Sequence, residues 1–251
     1  MNANHIHMFP LNATQNATDR CDLVVHSSDW MPQDIFSQEH GVEITPLETL
    51  HGYLVTCGEQ RIVWLCASAG GGGIMDSVLS ASRLDCNRIL YLGAASGLAC
   101  DVTPGDLVVP NKTIHGDDPL HYLEETALAD ESALEARRTP PKGVLWVNKA
   151  AYQKGISTTT RTVFSAESRL ALRNYLTSIR ASGAAVVDRA SSVFSRCMTR
   201  MGLDGASLLL VTDRMDGLSL TQEEETRLDQ VLHQDLGRML LALAEKRRKA
   251  A

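Results

Sequence analysis

The chain reads as an α/β domain, and three observations predict it. Short β-rich runs alternate with longer helix-patterned segments through most of the sequence. The stretch Arg88 to Val109 opens as an apolar strand, Ile89-Leu90-Tyr91-Leu92. It breaks at the small residues Gly93-Ala94-Ala95-Ser96-Gly97, turns at Thr103-Pro104-Gly105-Asp106 and resumes as Leu107-Val108-Val109. Near the other end, Ser207 to Thr212 is a second buried-strand run, and a carboxylate, Asp213, follows it directly.

In chain order, the first 20 residues are polar and form a flexible tail, leaving residues 21–251 as a single domain. Cys21 to His26, Val42 to Leu47, Tyr53 to Cys57 and Arg61 to Cys66 are strands by their β-branched and apolar runs. Ala69 to Gly73 is a glycine loop and Ile74 to Leu84 a helix. Strand, glycine loop, helix is the setting of an anion site at a helix N-terminus, or of a plain flexible turn. There is no Gly-Lys-Ser/Thr and no dinucleotide fingerprint. Asp117 to Arg138 is acidic and helix-prone, closed by Pro140-Pro141; Gly143 to Val147 returns to strand. Ile156 to Phe164 is β-rich, and Glu167 to Ser182 is an amphipathic helix. Ala184 to Val187 leads into a helix that Gly202 ends after Met201. Thr221 and Glu224 form a capping box for a last helix, which runs to the basic tail Lys246-Arg247-Arg248-Lys249.

Composition narrows the function. With 44% hydrophobic and 22% charged residues the chain has the make-up of a globular protein with a full core. A net charge of −6 with no Lys/Arg face argues against nucleic acid as a partner. No apolar run reaches the length of a membrane span. Six scattered cysteines without a CxxC fit a reducing cytoplasm rather than a disulfide framework. The sequon matches at Asn12, Asn16 and Asn111 are chance in a chain without a signal peptide. His115, Asp117, Asp118 and His121 match no common zinc spacing, so neither metal nor cofactor is expected.

Small residues at the carboxyl end of a strand let a ligand or another backbone come close. The Arg88–Val109 stretch is therefore either a ligand floor or a tight strand-to-strand connection. Asp213, at a strand tip, is either a proton donor or a turn cap. Asp29 is either a base or a loop cap, and Phe164 either stacks on a ligand or fills the core.

The Gly93–Val109 stretch resembles the signature of the purine/uridine phosphorylase and methylthioadenosine nucleosidase superfamily, G-[ST]-x-G-G-[LI], a spacer, then G-D-[LIV]-V. Here it stands as Gly93-Ala94-Ala95-Ser96-Gly97-Leu98 and Gly105-Asp106-Leu107-Val108, with Ser96 where the family usually has glycine. Val211-Thr212-Asp213 resembles the family's V-S-D, and Thr160 to Phe164 its T-x-[DA]-x-F. The spacing back from Gly202 and Asp213 puts the family's E-M-E on Asp188-Arg189-Ala190, with alanine in place of the sugar-gripping glutamate. The phosphorylases' arginine two positions before the signature is Tyr91 here.

The resemblance implies a phosphorylase/hydrolase-like three-layer fold with a mixed, partly barrel-like central sheet flanked by helices. It implies cleavage of the N-glycosidic bond of a nucleoside-like small molecule, by water rather than phosphate, in a homo-oligomer. Asp213 would be the acid that protonates the departing base, and Asp29 would help activate the water. Ala94, Ala95, Ser96, Gly97 and Tyr91 would lie under the ligand, Phe164 would stack on the base, and Val187-Asp188-Arg189 would stand at the sugar. The alternatives are a member that binds without cleaving, or an enzyme of a specialised pathway whose Arg189-Ala190 pair meets a carboxylate.

Overall fold

The sheet is organised around one long strand. The computed structural model describes residues 20–48, 50–81, 84–86, 88–116, 135–138, 141–168, 172 and 175–245. Its strands are β1 (Leu23–Ser27), β2 (Val42–Pro46), β3 (Gly52–Cys57), β4 (Gln60–Cys66), β5 (Ile89–Gly97), β6 (Leu107–His115), β7 (Glu135–Arg138), β8 (Thr159–Ser165), β9 (Val186–Asp188) and β10 (Gly205–Arg214). Parallel β10 lies along nearly the whole of β5. On the other edge of β5, parallel β1 pairs with Ile89 to Leu92, and antiparallel β9 takes over at Ser96 and Gly97. The circuit β5–β10–β6–β8–β9 closes on itself, and β1–β4–β3–β2 extends from it as an open wing. The sheet is mixed and partly barrel-like.

Helices cover both faces. They are α1 (Pro32–Ile35), α2 (Gly70–Ala81), α3 (Pro141–Gln153), α4 (Leu176–Ala181), α5 (Ser191–Met201), α6 (Gln222–Gln230) and α7 (Leu236–Ala244). Alternation along β5 shows the two layers. Leu90 and Leu92 pack with Trp146, Val147 and Ala150 of α3 and Leu240 and Leu243 of α7. Tyr91 and Ala95 pack with Ile74 and Val78 of α2 and Phe194 and Met198 of α5. A strand apolar on both faces needs helices on both sides.

Several expectations hold at residue level. Gly105 sits at φ 88° in the turn that joins β5 to β6, and the Asp106 N–H donates to the Thr103 carbonyl at 3.0 Å. Gly202 ends α5 in the left-handed conformation. The Thr221–Glu224 capping box is formed in both directions.

Others are corrected. Gly143 to Val147 is helix, not strand, because Trp146, Val147, Ala150 and Ala151 form one buried stripe at helical spacing. Residues 117–134 of the acidic segment lie outside the described residues, and its end is not helix but strand β7, paired with β6. Of the helix expected over residues 167–182, the structure describes α4. Asp213 lies inside β10, which runs one residue further. The last helix runs on from α6 to α7 as expected, with a π turn at Val231–Asp235 between them and helical backbone at both joins. The basic tail lies outside the described residues.

The glycine run is the most informative correction. Gly70–Gly73 form the first turn of α2 rather than a loop. A Cβ at Gly70 would lie 2.1 Å from Glu167 Oε2, and one at Gly71 would lie 2.6 Å from Val193 Cγ2. The glycines thus let α5 and Glu167 approach the helix end. The Gly71 N–H donates to Glu167 Oε1 at 2.6 Å, so the anion held by this N-terminus is the chain's own carboxylate.

A second buried carboxylate sets the break between β9 and α5. Asp188, fully buried, accepts from the backbone N–H of Ser191 at 2.7 Å and of Ala190 at 3.2 Å, and from the Ser191 hydroxyl at 3.0 Å. The Ser165 hydroxyl of β8 also donates to it. Ser165 Oγ in turn accepts the Ser192 N–H at 3.0 Å, and the Ser192 hydroxyl pairs with His115 Nδ1 at 2.9 Å. The network ties β6, β8, β9 and α5 together. Burial outweighs these bonds and pushes the Asp188 carboxyl up from 3.8 to about 6. On β1, burial pushes His26 down from 6.5 to about 3, its Nδ1 bonded to Ser77 Oγ at 2.7 Å.

Two stability predictions follow from these local environments. Gly72 is exposed, and a Cβ there meets nothing, so Gly72→Ala stabilises by about 0.5–1 kcal/mol. A Cβ at Gly73 meets the Ser68 carbonyl at 2.2 Å, so Gly73→Ala destabilises by roughly 1–3 kcal/mol. Denaturant midpoints of the two variants check the opposite signs.

The second concerns pH. On acidification the folded chain takes up the Asp188 proton before the unfolded chain does, so this group adds stability as the pH falls below about 6. His26 acts the other way: the unfolded chain takes up its proton near 6.5, while the folded chain refuses it until about 3. Relative to wild type, Asp188→Asn therefore loses stability on acidification from neutral pH, and His26→Gln gains it. Each changes by about 1.4 kcal/mol per pH unit within its window. Unfolding free energy against pH for the three proteins checks this; three parallel curves would contradict it.

Candidate active site

The change of partner along β5 leaves a break in the strand pairing, the candidate crevice. β1 leaves the strand at Leu92 and β9 joins it at Ser96, so among the described residues no strand pairs with Gly93-Ala94-Ala95 on that edge. This is the kind of split at which α/β sheets bind ligands. Asp29, just past β1, reaches across it: its Oδ2 accepts the Ala94 N–H at 3.0 Å and the Ser28 hydroxyl at 3.2 Å. Its Oδ1 receives no hydrogen bond among the described residues.

Register carries the crevice sideways. Ser96 pairs with Asp213 of β10 on one side and with Val187 of β9 on the other, and Val187 pairs with Phe164 of β8. Directly paired residues project from the same face. Ser96, Asp213, Val187 and Phe164 therefore share one face, and Ala94, two residues from Ser96, joins them. Asp213 is half-buried, and the Thr212 hydroxyl lies 3.5 Å from its Oδ2. Leu98 and Met215 continue the same face, and with Ile114, Phe164 and Val187 they form an apolar floor. Leu172, Tyr175, Leu176 and Ile179 pack over that floor, and Phe164 and Val187 are fully buried beneath them.

Tyr91, Ala95 and Asp188 belong to the opposite face. Tyr91 is buried, and its hydroxyl lies against Gly93, where a Cβ would be 2.3 Å from it. Ser28 shares a hydrogen bond with that hydroxyl. Burial first, and the carboxylates of Asp188 and Asp29 next, push the phenol well above its ordinary range, so Tyr91 is a neutral donor. Asp188 makes its polar contacts inward, to Ser165, Ala190 and Ser191, while Arg189 beside it is exposed. Gly97 ends β5, where its carbonyl accepts the Met215 N–H at 2.9 Å. Among the described residues no group of three or more His, Cys, Asp or Glu could hold a metal.

Sequence reasoning missed Ser28, Ser165, the Ser191-Ser192 pair and Glu167. One of these had a local signal: a carboxylate followed three residues on by serine at a helix start, Asp188-x-x-Ser191, is a capping arrangement. Ser165 and Glu167 had none, because their partners are distant in the chain.

Comparison with known proteins places this geometry. A family model described as the phosphorylase superfamily matches residues 35–245. No curated protein matches the sequence. Among solved structures, the chain is similar to a 5′-methylthioadenosine/S-adenosylhomocysteine nucleosidase of Campylobacter jejuni. The identity is 11%, 88% of this chain and 98% of that one are covered, and the TM-score is 0.67. It is similar to a futalosine hydrolase mutant of Helicobacter pylori at 13% identity, with 89% and 98% covered and a TM-score of 0.63. It is also similar to a methylthioadenosine/S-adenosylhomocysteine nucleosidase of Neisseria meningitidis bound to methylthio-immucillin-A, at 15% identity, 89% and 97% coverage and a TM-score of 0.61. At such identities these structures bear on the fold, and the signature at Gly93–Val108 lies within the matched span. The chain belongs to the phosphorylase superfamily.

Proposed function

We propose that this protein cleaves the N-glycosidic bond of a nucleoside-like substrate, with water as the acceptor. The observation that carries the reading is Asp213: a half-buried carboxylate in register with Ser96, on the face shared with the Ala94 crevice. In this reading the sugar lies over Ala94 and Ser96 and the base points toward Asp213. Breaking the C–N bond sends its electron pair to the base and leaves an oxocarbenium ion on the sugar. Asp213 gives its proton to the departing base. Asp29, held through Oδ2, takes a proton from water through Oδ1, and the water oxygen bonds to the sugar carbon.

Water is favoured over phosphate by charge. Tyr91 is a neutral donor, and Ser27 to Met31 hold no cation. The helix end that would welcome an oxyanion already holds Glu167. Ala190 cannot grip sugar hydroxyls and Asp188 is bonded inward, so the exposed Arg189 is the polar side chain left to meet the sugar end, which suits a substituent such as a carboxylate. Six free cysteines support a reducing compartment, the cytoplasm. Leu145 and Tyr152 of α3, 67% and 85% exposed, support a homo-oligomer in which a second copy covers them. A second reading, binding without cleavage, is favoured by the closed floor at Phe164 and Val187.

Chromatography of a panel of purine and pyrimidine nucleosides, incubated with and without phosphate, tests both readings. Hydrolysis expects a released base at the same rate in either buffer. Asp213→Asn is expected to slow it about 10²–10⁴-fold with little change in KM. If no nucleoside releases base while a known family nucleosidase run alongside does, the cleavage reading is overturned. Thermal stabilisation by the same nucleosides without turnover would then favour the second reading.

A further inference from the structure

Beyond the carboxyl ends of β5 and β10 lies a cavity of about 880 Å³. It meets the crevice at Gly97 and at Leu98 of the apolar floor, and Ala94, Ser96, Asp29 and Asp213 are not among its lining residues. Its charged lining is Arg161 of β8, Arg180 of α4 and Arg214 at the end of β10, with Asp101 and Asp216. Asp101 is paired with Arg161 and Glu224 with Arg214, so the charges about the cavity balance and its recognition groups are the guanidinium N–H donors those pairs leave over, above all at Arg180.

The arginines are held in place by contacts that leave donors over. Arg161 Nη2 donates to Asp101 Oδ2 at 2.7 Å. Arg180 donates through Nε to the Leu98 carbonyl at 3.2 Å, and its two Nη groups have no acceptor among the described residues. Arg214 is paired with Glu224, whose carboxylate also closes the cap of α6. A guanidinium carries five N–H donors in a fixed fork that matches the oxygens of phosphate or carboxylate. Thr160, Thr162 and Asn111 add neutral hydrogen-bonding groups to the wall.

We propose that this cavity is a binding site for an oxyanion, a phosphate or carboxylate group, distinct from the crevice at Ala94. Arg180 and Arg161 supply the guanidinium donors, and Arg214 links the site to Asp213, its neighbour on β10. The anion is either free or the far end of a substrate that passes Gly97. Binding is read without turnover, so a failure of the cleavage reading leaves this test standing.

The probe is inorganic phosphate against sodium chloride at equal ionic strength, followed by thermal unfolding and calorimetry. Millimolar phosphate is expected to raise the Tm of the wild type above the chloride control. The double variant Arg161→Ala/Arg180→Ala is expected to weaken phosphate binding at least about tenfold. Arg180→Gln, which loses the charge and the two Nη groups but keeps an N–H at the level of Nε for the Leu98 carbonyl, weakens it in the same direction and guards against a fold defect in the double variant. Arg238→Ala, which removes an exposed cation paired with Asp235, leaves binding unchanged. Adenosine 5′-monophosphate binding more tightly than adenosine, with the advantage lost in Arg180→Gln, identifies the anion as part of a substrate. Phosphate binding unchanged by saturating adenosine identifies a separate anion. The proposal is overturned if phosphate does no more than chloride, or if the double variant binds it as the wild type does.

Discussion

The structure depends on the sharing of β5. One strand of nine residues serves β10 along one edge and both β1 and β9 along the other. Every backbone polar group of a buried strand has to find a partner. At Gly93-Ala94-Ala95, where β1 has left and β9 has not begun, the requirement is met from outside the sheet: the Ala94 N–H goes to the Asp29 carboxylate. The same interruption that needs that carboxylate opens the crevice. Small side chains are required there because Tyr91 already fills the space beside Gly93. Sheet closure, the crevice and the position of Asp29 are thus one arrangement seen from three sides.

The sequence made the strands legible where apolar and β-branched runs are short and bounded, as at Leu23–Ser27, Gln60–Cys66 and Gly205–Arg214. Caps with both halves in one stretch, such as Thr221 with Glu224, were equally readable. It misled where one pattern admits two periods: Gly143 to Val147 is apolar enough for a strand, and only the continuation to Ala150 and Ala151 shows the helix. The candidate site was legible as a set of positions, since Ala94, Ser96, Val187, Phe164 and Asp213 do meet on one face through register. Their environments were not legible. That Asp188 is bonded inward and Phe164 is covered depends on Ser165, Ser191 and the Leu172–Ile179 segment, which are joined to them only by folding.

Two buried ionisable groups sit in the layers around β5 and oppose each other. Asp188 accepts a proton more readily in the folded chain, and His26 refuses one. Between the two ordinary ranges the folded and unfolded chains differ by nearly the same number of protons from these groups, so their acid responses largely cancel. The network around Asp188 can therefore hold a carboxylate away from water without making the fold strongly sensitive to mild acid.

Glu167 at the start of α2 has a consequence for chemistry as well as packing. It is tethered, so the amide of Gly71 meets it at the local concentration of a group on the same chain, far above that of any free anion. A free oxyanion at that amide would have to compete with a carboxylate that cannot be diluted away. The fold in this way furnishes the helix end with an internal mimic of what such a seat would otherwise collect.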